Sequence, residues 1–217
     1  MKALTAFFRP HNIEIQDPPF TKFVFSNTAF SIVWLFVRVW LGWQWVTASM
    51  HKIFLSDPAT GATLYGQFNP AWLVTGEALK GFWMGALKTD PRPVIYFDFY
   101  RTFIQALVDA QAYTWFAKLI AFGELFIGIA LILGLFTGIA AFFGGFMNWN
   151  FLMAGTASSN PLLFVAALLL VLAWKNAGYI GLDRIVLPML GTPWKVGYLL
   201  SPSKPQTPEL EPQPVRI

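Results

Sequence analysis

The amino-acid sequence predicts an all-α polytopic membrane protein, a four-transmembrane-helix bundle with amphipathic helices in one extracytoplasmic loop. Hydrophobic residues make up 56% of the chain and charged residues only 12%, whereas soluble domains carry about 25% charged residues. Four stretches are apolar over most of the roughly 20 residues that a helix needs to cross the hydrocarbon core. The chain has no cysteine, which excludes disulfides and iron–sulfur clusters held by this chain, and we predict no metal site.

The first predicted span is AFSIVWLFVRVWLGWQWVTASM, residues 29–50. The second covers residues 114–136, the third 138–155 and the fourth 161–174, each with approximate ends. Because only a very short turn separates the second and third spans, these two helices are expected to be antiparallel. The connection GTASSNP between the third and fourth spans contains small polar residues and a proline, which is typical of a tight link between helices.

The spans divide the chain into three parts. Residues 1–28 form a predicted cytoplasmic arm, residues 29–190 the membrane domain with an extracytoplasmic loop at 53–113, and residues 191–217 a disordered, proline-rich cytoplasmic tail. Lysine and arginine occur in the arm and after the fourth span, so the positive-inside rule places both termini in the cytoplasm of a bacterial or archaeal inner membrane. The arm lacks the apolar core of a signal peptide, and we expect the first span to remain as an anchor.

The long loop contains two stretches with helical spacing of apolar residues, TGEALKGFWMGALK and FDFYRTFIQALVDA. Both stretches are rich in aromatic residues. One interpretation is that these helices lie on the membrane or cap the bundle. The other is that they form a lid over a site that opens outward.

Glu124 is the residue that most needs an explanation, because it lies in the apolar stretch AFGELFIGIALILGLF. An isolated carboxylate in hydrocarbon costs several kcal/mol, so it should face the bundle and find a partner or a proton. At 1.5 Å per residue, Arg38 lies about 18 Å and Glu124 about 15 Å from the outer face. Asn148 lies about 15 Å from the inner face. We therefore predict an Arg38–Glu124 ion pair joined by Asn148. This network either fixes the helix register, or it binds a polar head group or moves a proton.

A second polar set is predicted nearer the outer face, with His51, Lys52 and Lys118 as its members. Trp43 belongs to a group of tryptophans on the first span. These tryptophans either pack and anchor the helix at the interface or line a pocket for a flat ring.

Four segments carry a resemblance to a known family: RVWLGWQWVTASMHKI, GELFIGIALILGLFTGIAA, NWNFLMAGTASSNP and NAGYIGLDR. They resemble the DoxX family of four-helix membrane proteins, in its DoxD-like branch, which is linked to thiosulfate:quinone oxidoreductase. The resemblance implies oxidation of thiosulfate to tetrathionate outside the cell, with transfer of the electrons to a membrane quinone.

The same resemblance implies roles for the candidate residues. Glu124 would supply protons, and Arg38 or Asn148 would hydrogen-bond a quinone carbonyl beside Trp43. The cations His51, Lys52 and Lys118 would attract the thiosulfate dianion by charge.

Three classes of function follow from these observations. The first is the membrane subunit of a quinone-linked oxidoreductase, and the sequence leaves open whether the chain itself is a thiosulfate dehydrogenase (quinone). The second is a non-catalytic accessory subunit of a larger respiratory or photosynthetic complex, and the third is a transporter or lipid-binding protein. We expect no covalently bound cofactor, with quinone as a diffusible electron acceptor.

The expected partners are membrane lipid, quinone, and either a larger membrane-protein complex or further copies of the chain. The sequence pI of about 9.4 does not point to nucleic acid, because the basic residues are spread thinly along the predicted cytoplasmic segments. Contact with anionic lipid explains their distribution better.

Overall fold

The computed structural model describes residues 17–193. Most of the predicted cytoplasmic arm (1–16) and of the predicted proline-rich tail (194–217) lie outside the described residues. The described chain is mostly helical, as predicted. Its elements are α1 (Pro19–Ser26), a 3₁₀ turn (Thr28–Phe30), α2 (Ser31–Ile53), β1 (Phe54–Ser56), β2 (Thr63–Phe68), α3 (Pro70–Leu73), α4 (Glu77–Ala86), α5 (Asp98–Asp109), α6 (Tyr113–Leu133), α7 (Thr137–Met153), α8 (Asn160–Leu172), α9 (Trp174–Ala177) and α10 (Asp183–Met189).

The four predicted apolar segments form the helices α2, α6, α7 and α8. Two segments of the described chain, Thr28–Ile53 and Tyr113–Leu133, are long and apolar enough to cross a membrane. The helices α7 and α8, with 17 and 13 residues, are shorter than the roughly 20 residues of a typical span.

The prediction of an all-α fold is wrong in one detail, because the loop contains an antiparallel β-hairpin. Phe54 pairs with Phe68 and Ser56 with Thr63, with an irregularity in the register between them. The rings of Phe54 and Phe68 stack with their centroids 5.4 Å apart. The strands escaped prediction because a strand of three residues is too short to show an alternating pattern.

The helices pack as two main pairs, α2 with α6 and α7 with α8, and α2 also contacts α8. The α2–α6 pair is antiparallel and closely packed at two glycines. A Cβ on Gly42 would lie 2.8 Å from the carbonyl oxygen of Gly128. Small residues at such a position allow the helix backbones to approach each other.

The bundle has two distinct ends. One end, here called the hairpin end, carries the β-hairpin and α3 to α5, together with the start of α6 and the end of α7. The other, here called the turn end, carries the α6–α7 connection with α9 and α10. The two predicted loop helices form as α4 and α5 and cap the bundle: the Trp83 ring of α4 lies 5.6 Å from Phe116 of α6, and Tyr100 of α5 donates a hydrogen bond to the carbonyl oxygen of Asn150.

Candidate functional site

The buried carboxylate of Glu124 forms an ion pair with Lys52, whose Nζ lies 2.7 Å from Oε2. Glu124 is 1% exposed, and the lysine side chain is 18% exposed. The predicted Arg38–Glu124 ion pair is therefore wrong. The partner of Glu124 comes instead from the predicted outer polar set, and its ammonium group turns inward.

The direction in which helical side chains lean explains this pairing. Each Cα–Cβ bond tilts toward the N-terminus of its own helix. Because α2 and α6 are antiparallel, Lys52 leans from the hairpin end into the bundle, while Glu124 leans toward the hairpin end. The two charged groups therefore converge, although the lysine is close to the end of α2.

Arg38 leans in the same direction as Lys52, toward the N-terminus of α2, and because it lies nearer that end its side chain reaches away from Glu124 to the turn end. Its Nη2 donates a hydrogen bond to the carbonyl oxygen of Ile180 at 2.7 Å. Its guanidinium packs against Gly134, where φ is +67° and a Cβ would overlap the arginine. Gly134 is ten residues beyond Glu124, about 15 Å along α6, so the two charges belong to separate sites.

Asp183 completes the polar cluster at the turn end. This buried carboxylate accepts hydrogen bonds from the backbone N–H groups of Phe136 and Thr137 at 2.5 and 2.9 Å. It thereby satisfies amides at the N-terminus of α7 that have no partner within the helix. Its charge also acts on the Arg38 guanidinium. This cluster ties Arg38 to the α6–α7 connection, but Nε and Nη1 of Arg38 have no hydrogen-bond partner in the described chain.

Asn148 faces the interior, as predicted, and is fully buried. Neither its amide nitrogen nor its amide oxygen has a hydrogen-bond partner in the described chain, and the same holds for Oε1 of Glu124. The neighbouring amide of Asn150 instead contacts Tyr100 at the edge of the bundle. Burying polar atoms without partners costs about 1–3 kcal/mol each, so these atoms call for a functional explanation.

The helix register brings these unpartnered atoms to one level. A Cβ on Gly144 would lie 3.0 Å from Nε1 of Trp45 and 3.3 Å from Ile127. Glu124 is one helical turn from Ile127, and Asn148 is one turn from Gly144. Because α6 and α7 are antiparallel, both displacements run toward the hairpin end, and the carboxylate and the amide therefore share a level.

We call this level the polar layer and define it by Lys52, Ser49, Glu124 and Asn148. Ser49 is fully buried, and its hydroxyl donates a hydrogen bond to the carbonyl oxygen of Ala121 at 2.8 Å. The layer contains one positive charge, one negative charge, a hydroxyl and an amide within apolar helices. Such a set can bind a polar group, hold water or pass a proton.

The loop covers the entrance to the polar layer. The ammonium group of Lys52 lies 5.4 Å from the centre of the Trp72 ring in α3, within the range of a cation–π contact. Its Nζ also lies 3.4 Å from the carbonyl oxygen of Ala48. The ammonium group of Lys52 thus contacts the buried carboxylate in the bundle and an aromatic ring of the loop.

The remaining predicted site residues do not join the polar layer. Trp43 is 62% exposed and Trp45 is buried, so a pocket lined by Trp43 would lie on the outer surface of α2, and this role of Trp43 stays a prediction. His51 is exposed and contacts Ser56. Lys118 donates a hydrogen bond to the carbonyl oxygen of its own helix at Thr114. His51, Lys52 and Lys118 thus each contact a different group, and their attraction of an anion by charge stays a prediction.

Sequence reasoning missed two contributors, Ser49 and Trp72, while Trp45 was one of the first-span tryptophans predicted either to pack and anchor or to line a pocket. Ser49 and Trp45 lie four residues apart on α2, and Ser49 lies three residues before Lys52. This spacing places all three on one helical face and could have identified them. Nothing in the sequence indicated that Trp72 would contact this face.

Two apolar cavities lie elsewhere, one between α7 and α8 and the other at the turn end, between α7 and the segment from the end of α8 to α10. Their volumes are about 190 and 380 Å³, and they share Phe142 and Val171 as lining residues. Neither cavity is lined by a residue of the polar layer. The smaller cavity is an apolar groove on the outer surface of α7 and α8.

Comparison with known proteins gives no match: no family model, curated protein or solved structure is significantly similar to the chain.

Proposed function

We propose that the chain is an integral membrane subunit of a quinone-linked oxidoreductase, in which the polar layer delivers protons to a quinone. The observation that carries the proposal is the Lys52–Glu124 pair, buried among apolar helices with one carboxylate oxygen left without a partner. Ionisable residues at such positions mark proton and substrate pathways in membrane proteins.

In this proposal α2, α6, α7 and α8 all cross the bilayer, with both termini in the cytoplasm and the hairpin end outside. Large apolar side chains on the outward faces of the two shorter helices support this arrangement, including Phe142 and Phe146 on α7 and Leu168 and Leu172 on α8. The short helix α9 follows α8 directly and lengthens the fourth segment to Ala177.

The proposed reaction reduces quinone to quinol, which consumes two electrons and two protons. Oxidation of two thiosulfate ions to one tetrathionate ion supplies the two electrons, as the family resemblance implies. Glu124 passes protons to the quinone oxygens, and the amide of Asn148 donates a hydrogen bond to a carbonyl. The apolar groove on α7 and α8 offers a surface for the hydrocarbon tail.

The electron donor is proposed to act at a partner subunit. The cations expected to bind thiosulfate do not converge in the described chain, because Lys52 is turned toward Glu124. We propose that groups from another protein complete the donor site, and thiosulfate rests on the family resemblance alone.

Glu124→Gln tests the proposal in membranes that contain the full chain, with thiosulfate as donor and a short-chain quinone as acceptor. We expect quinone reduction to fall about 100-fold, the lower range for loss of a general acid or base. The matched control is Glu77→Gln, since Glu77 lies on the surface of α4 beside Lys80, and its rate should be unchanged. Undiminished turnover in Glu124→Gln would remove the carboxylate from the proton path.

A second candidate function is that of a non-catalytic accessory subunit. It is favoured by the exposed aromatic rings of the loop: Tyr96 is 85% exposed, and Phe97 and Phe99 are also exposed. Such a surface is typical of contact with another protein or with lipid. Three results together would support this role over the first. The chain would purify only with larger partners, it would carry no quinone, and the Glu124→Gln variant would leave the activity of the whole complex unchanged.

A further inference from the structure

We infer that the polar layer is a hydrated proton-exchange site that communicates with bulk water only at the hairpin end, past Lys52. The inference deepens the proposed function by assigning the side from which protons come. The access route itself does not depend on quinone and can be tested without it.

Unpartnered buried atoms indicate that the layer holds water. The two amide atoms of Asn148, Oε1 of Glu124 and Nε1 of Trp45 all lack partners in the described chain. Buried water typically makes about three hydrogen bonds to polar groups of this kind. The register of α2, α6 and α7 places donors and acceptors together, so that a small water cluster can satisfy both types.

The route toward the turn end is closed by helix packing. Gly128 lies one turn below Glu124 on the same face of α6, and a Cβ there would lie 2.7 Å from Val46 and 2.8 Å from the carbonyl oxygen of Gly42. No water fits between backbones this close. Beyond this contact, the fully buried side chains of Leu41 and Leu131 continue the apolar seal.

The route toward the hairpin end passes along a single polar side chain. Lys52 is the member of the polar layer with the largest exposure, at 18%, while Glu124, Ser49 and Asn148 are each at most 1% exposed. Its ammonium group lies 2.7 Å from Glu124 and also 5.4 Å from the centre of the Trp72 ring in the loop. The lysine therefore connects the buried carboxylate to water.

The proton step is balanced within this pair. An N–H bond of the Lys52 ammonium breaks as an O–H bond forms on Glu124, which converts the ion pair into a neutral amine and acid. The amine then takes a proton from water at the hairpin end. When the acid gives its proton to an acceptor in the layer, the ion pair is restored, and one proton has moved inward from that end.

Single cysteines test the route, because the natural chain has none. Ser49→Cys reports on the polar layer and Leu131→Cys on the core beyond the glycine contact. Both residues are 0% exposed, so burial alone would predict that the two cysteines are equally protected from the labelling reagent. Ala59→Cys in the hairpin turn and Lys22→Cys on α1 mark the two ends. The full-length variants are reconstituted in vesicles, and a membrane-impermeant methanethiosulfonate reagent is added to one side at a time.

We expect Ser49→Cys to react only from the side that labels Ala59→Cys, and Leu131→Cys to be protected from both sides. Adding Lys52→Ala should accelerate labelling of Ser49→Cys about tenfold, the factor that corresponds to 1.4 kcal/mol. Lys118→Ala is the matched control, because its ammonium bonds its own helix backbone, and it should leave the rate unchanged.

Three results would overturn the inference: labelling of Ser49→Cys from the other side, equal labelling of Leu131→Cys, or no effect of Lys52→Ala. Asn148→Cys serves as a second reporter if Ser49→Cys fails to fold. Failure of the quinone assay with correct one-sided labelling would refute the proposed function and leave the access route standing. If Glu124→Gln lowers quinone reduction as expected but the cysteine labelling is not one-sided, only the access route is refuted.

Discussion

Removing either partner of the Lys52–Glu124 pair should destabilise the protein, but by unequal amounts. Lys52→Met leaves a carboxylate that is 1% exposed without a cation. Breaking a buried pair in this way costs about 3–5 kcal/mol. We expect about 3 kcal/mol, because water can enter the space that the partly exposed lysine vacates.

Glu124→Gln should cost less, about 1.5 kcal/mol, the lower value for a hydrogen bond to a charged group. The lysine left behind can straighten its apolar stem and carry its charge to water at the hairpin end. The double variant leaves no buried charge at this position. Its cost should be close to that of Glu124→Gln alone, which gives a coupling energy of about 3 kcal/mol between the two residues.

The assay is equilibrium unfolding of the purified full chain in detergent micelles, followed by tryptophan fluorescence. Lys118→Met is the matched control, since its ammonium bonds the carbonyl oxygen of Thr114, and its cost should stay below about 0.5 kcal/mol. The reasoning is refuted if Glu124→Gln costs more than Lys52→Met, or if the two single effects add in the double variant.

Three further variants, with Gly123→Ala as a control for the first, test other contacts of the bundle by the same unfolding assay and, for two of them, by a second measurement. Gly42→Ala should destabilise by about 1–3 kcal/mol through overpacking, because its Cβ would lie 2.8 Å from the Gly128 carbonyl oxygen, whereas Gly123→Ala, with 4.0 Å to its nearest neighbour, should change stability by less than about 1 kcal/mol. Asp183→Ala should cost about 2 kcal/mol and speed hydrogen exchange of the first amides of α7; unchanged exchange would count against its capping role. Tyr100→Phe should cost about 1 kcal/mol by removing a hydrogen bond to α7. Burial raises the pKa of Tyr100 to about 12; because this exceeds the ordinary value of 10, its contribution is fully present below pH 10 and is lost as pH rises toward 12, and a tyrosinate absorbance titration without a late-ionising group would contradict this.

Much of the fold could be predicted from the sequence because long apolar segments indicate helices directly. The predicted first span at 29–50 corresponds to α2, and the second at 114–136 to α6. Both amphipathic loop helices also formed. The hairpin Phe54–Phe68 was missed because its strands are short and one of them contains a glycine, which weakens any strand pattern.

The candidate site was predicted in part. The sequence identified Glu124 as a buried carboxylate in need of a cation and Asn148 as its interior neighbour. It selected Arg38 as the cation because the depth estimate treated each charge as a point at its own Cα. Side chains of this length reach several ångströms along the axis, and their lean toward the helix N-terminus decided between Arg38 and Lys52.

The sequence by itself determined that the chain is mostly helical and apolar, and that a carboxylate inside such a helix must meet a polar partner. These properties follow from composition and from the cost of burying charge. Only the tertiary structure decided which cation meets it, because that choice depends on the α2–α6 register set by the Gly42–Gly128 contact. The register brings Lys52 to Glu124 and leaves Arg38 nearer the turn end, where its lean toward the N-terminus of α2 carries the guanidinium away from the carboxylate.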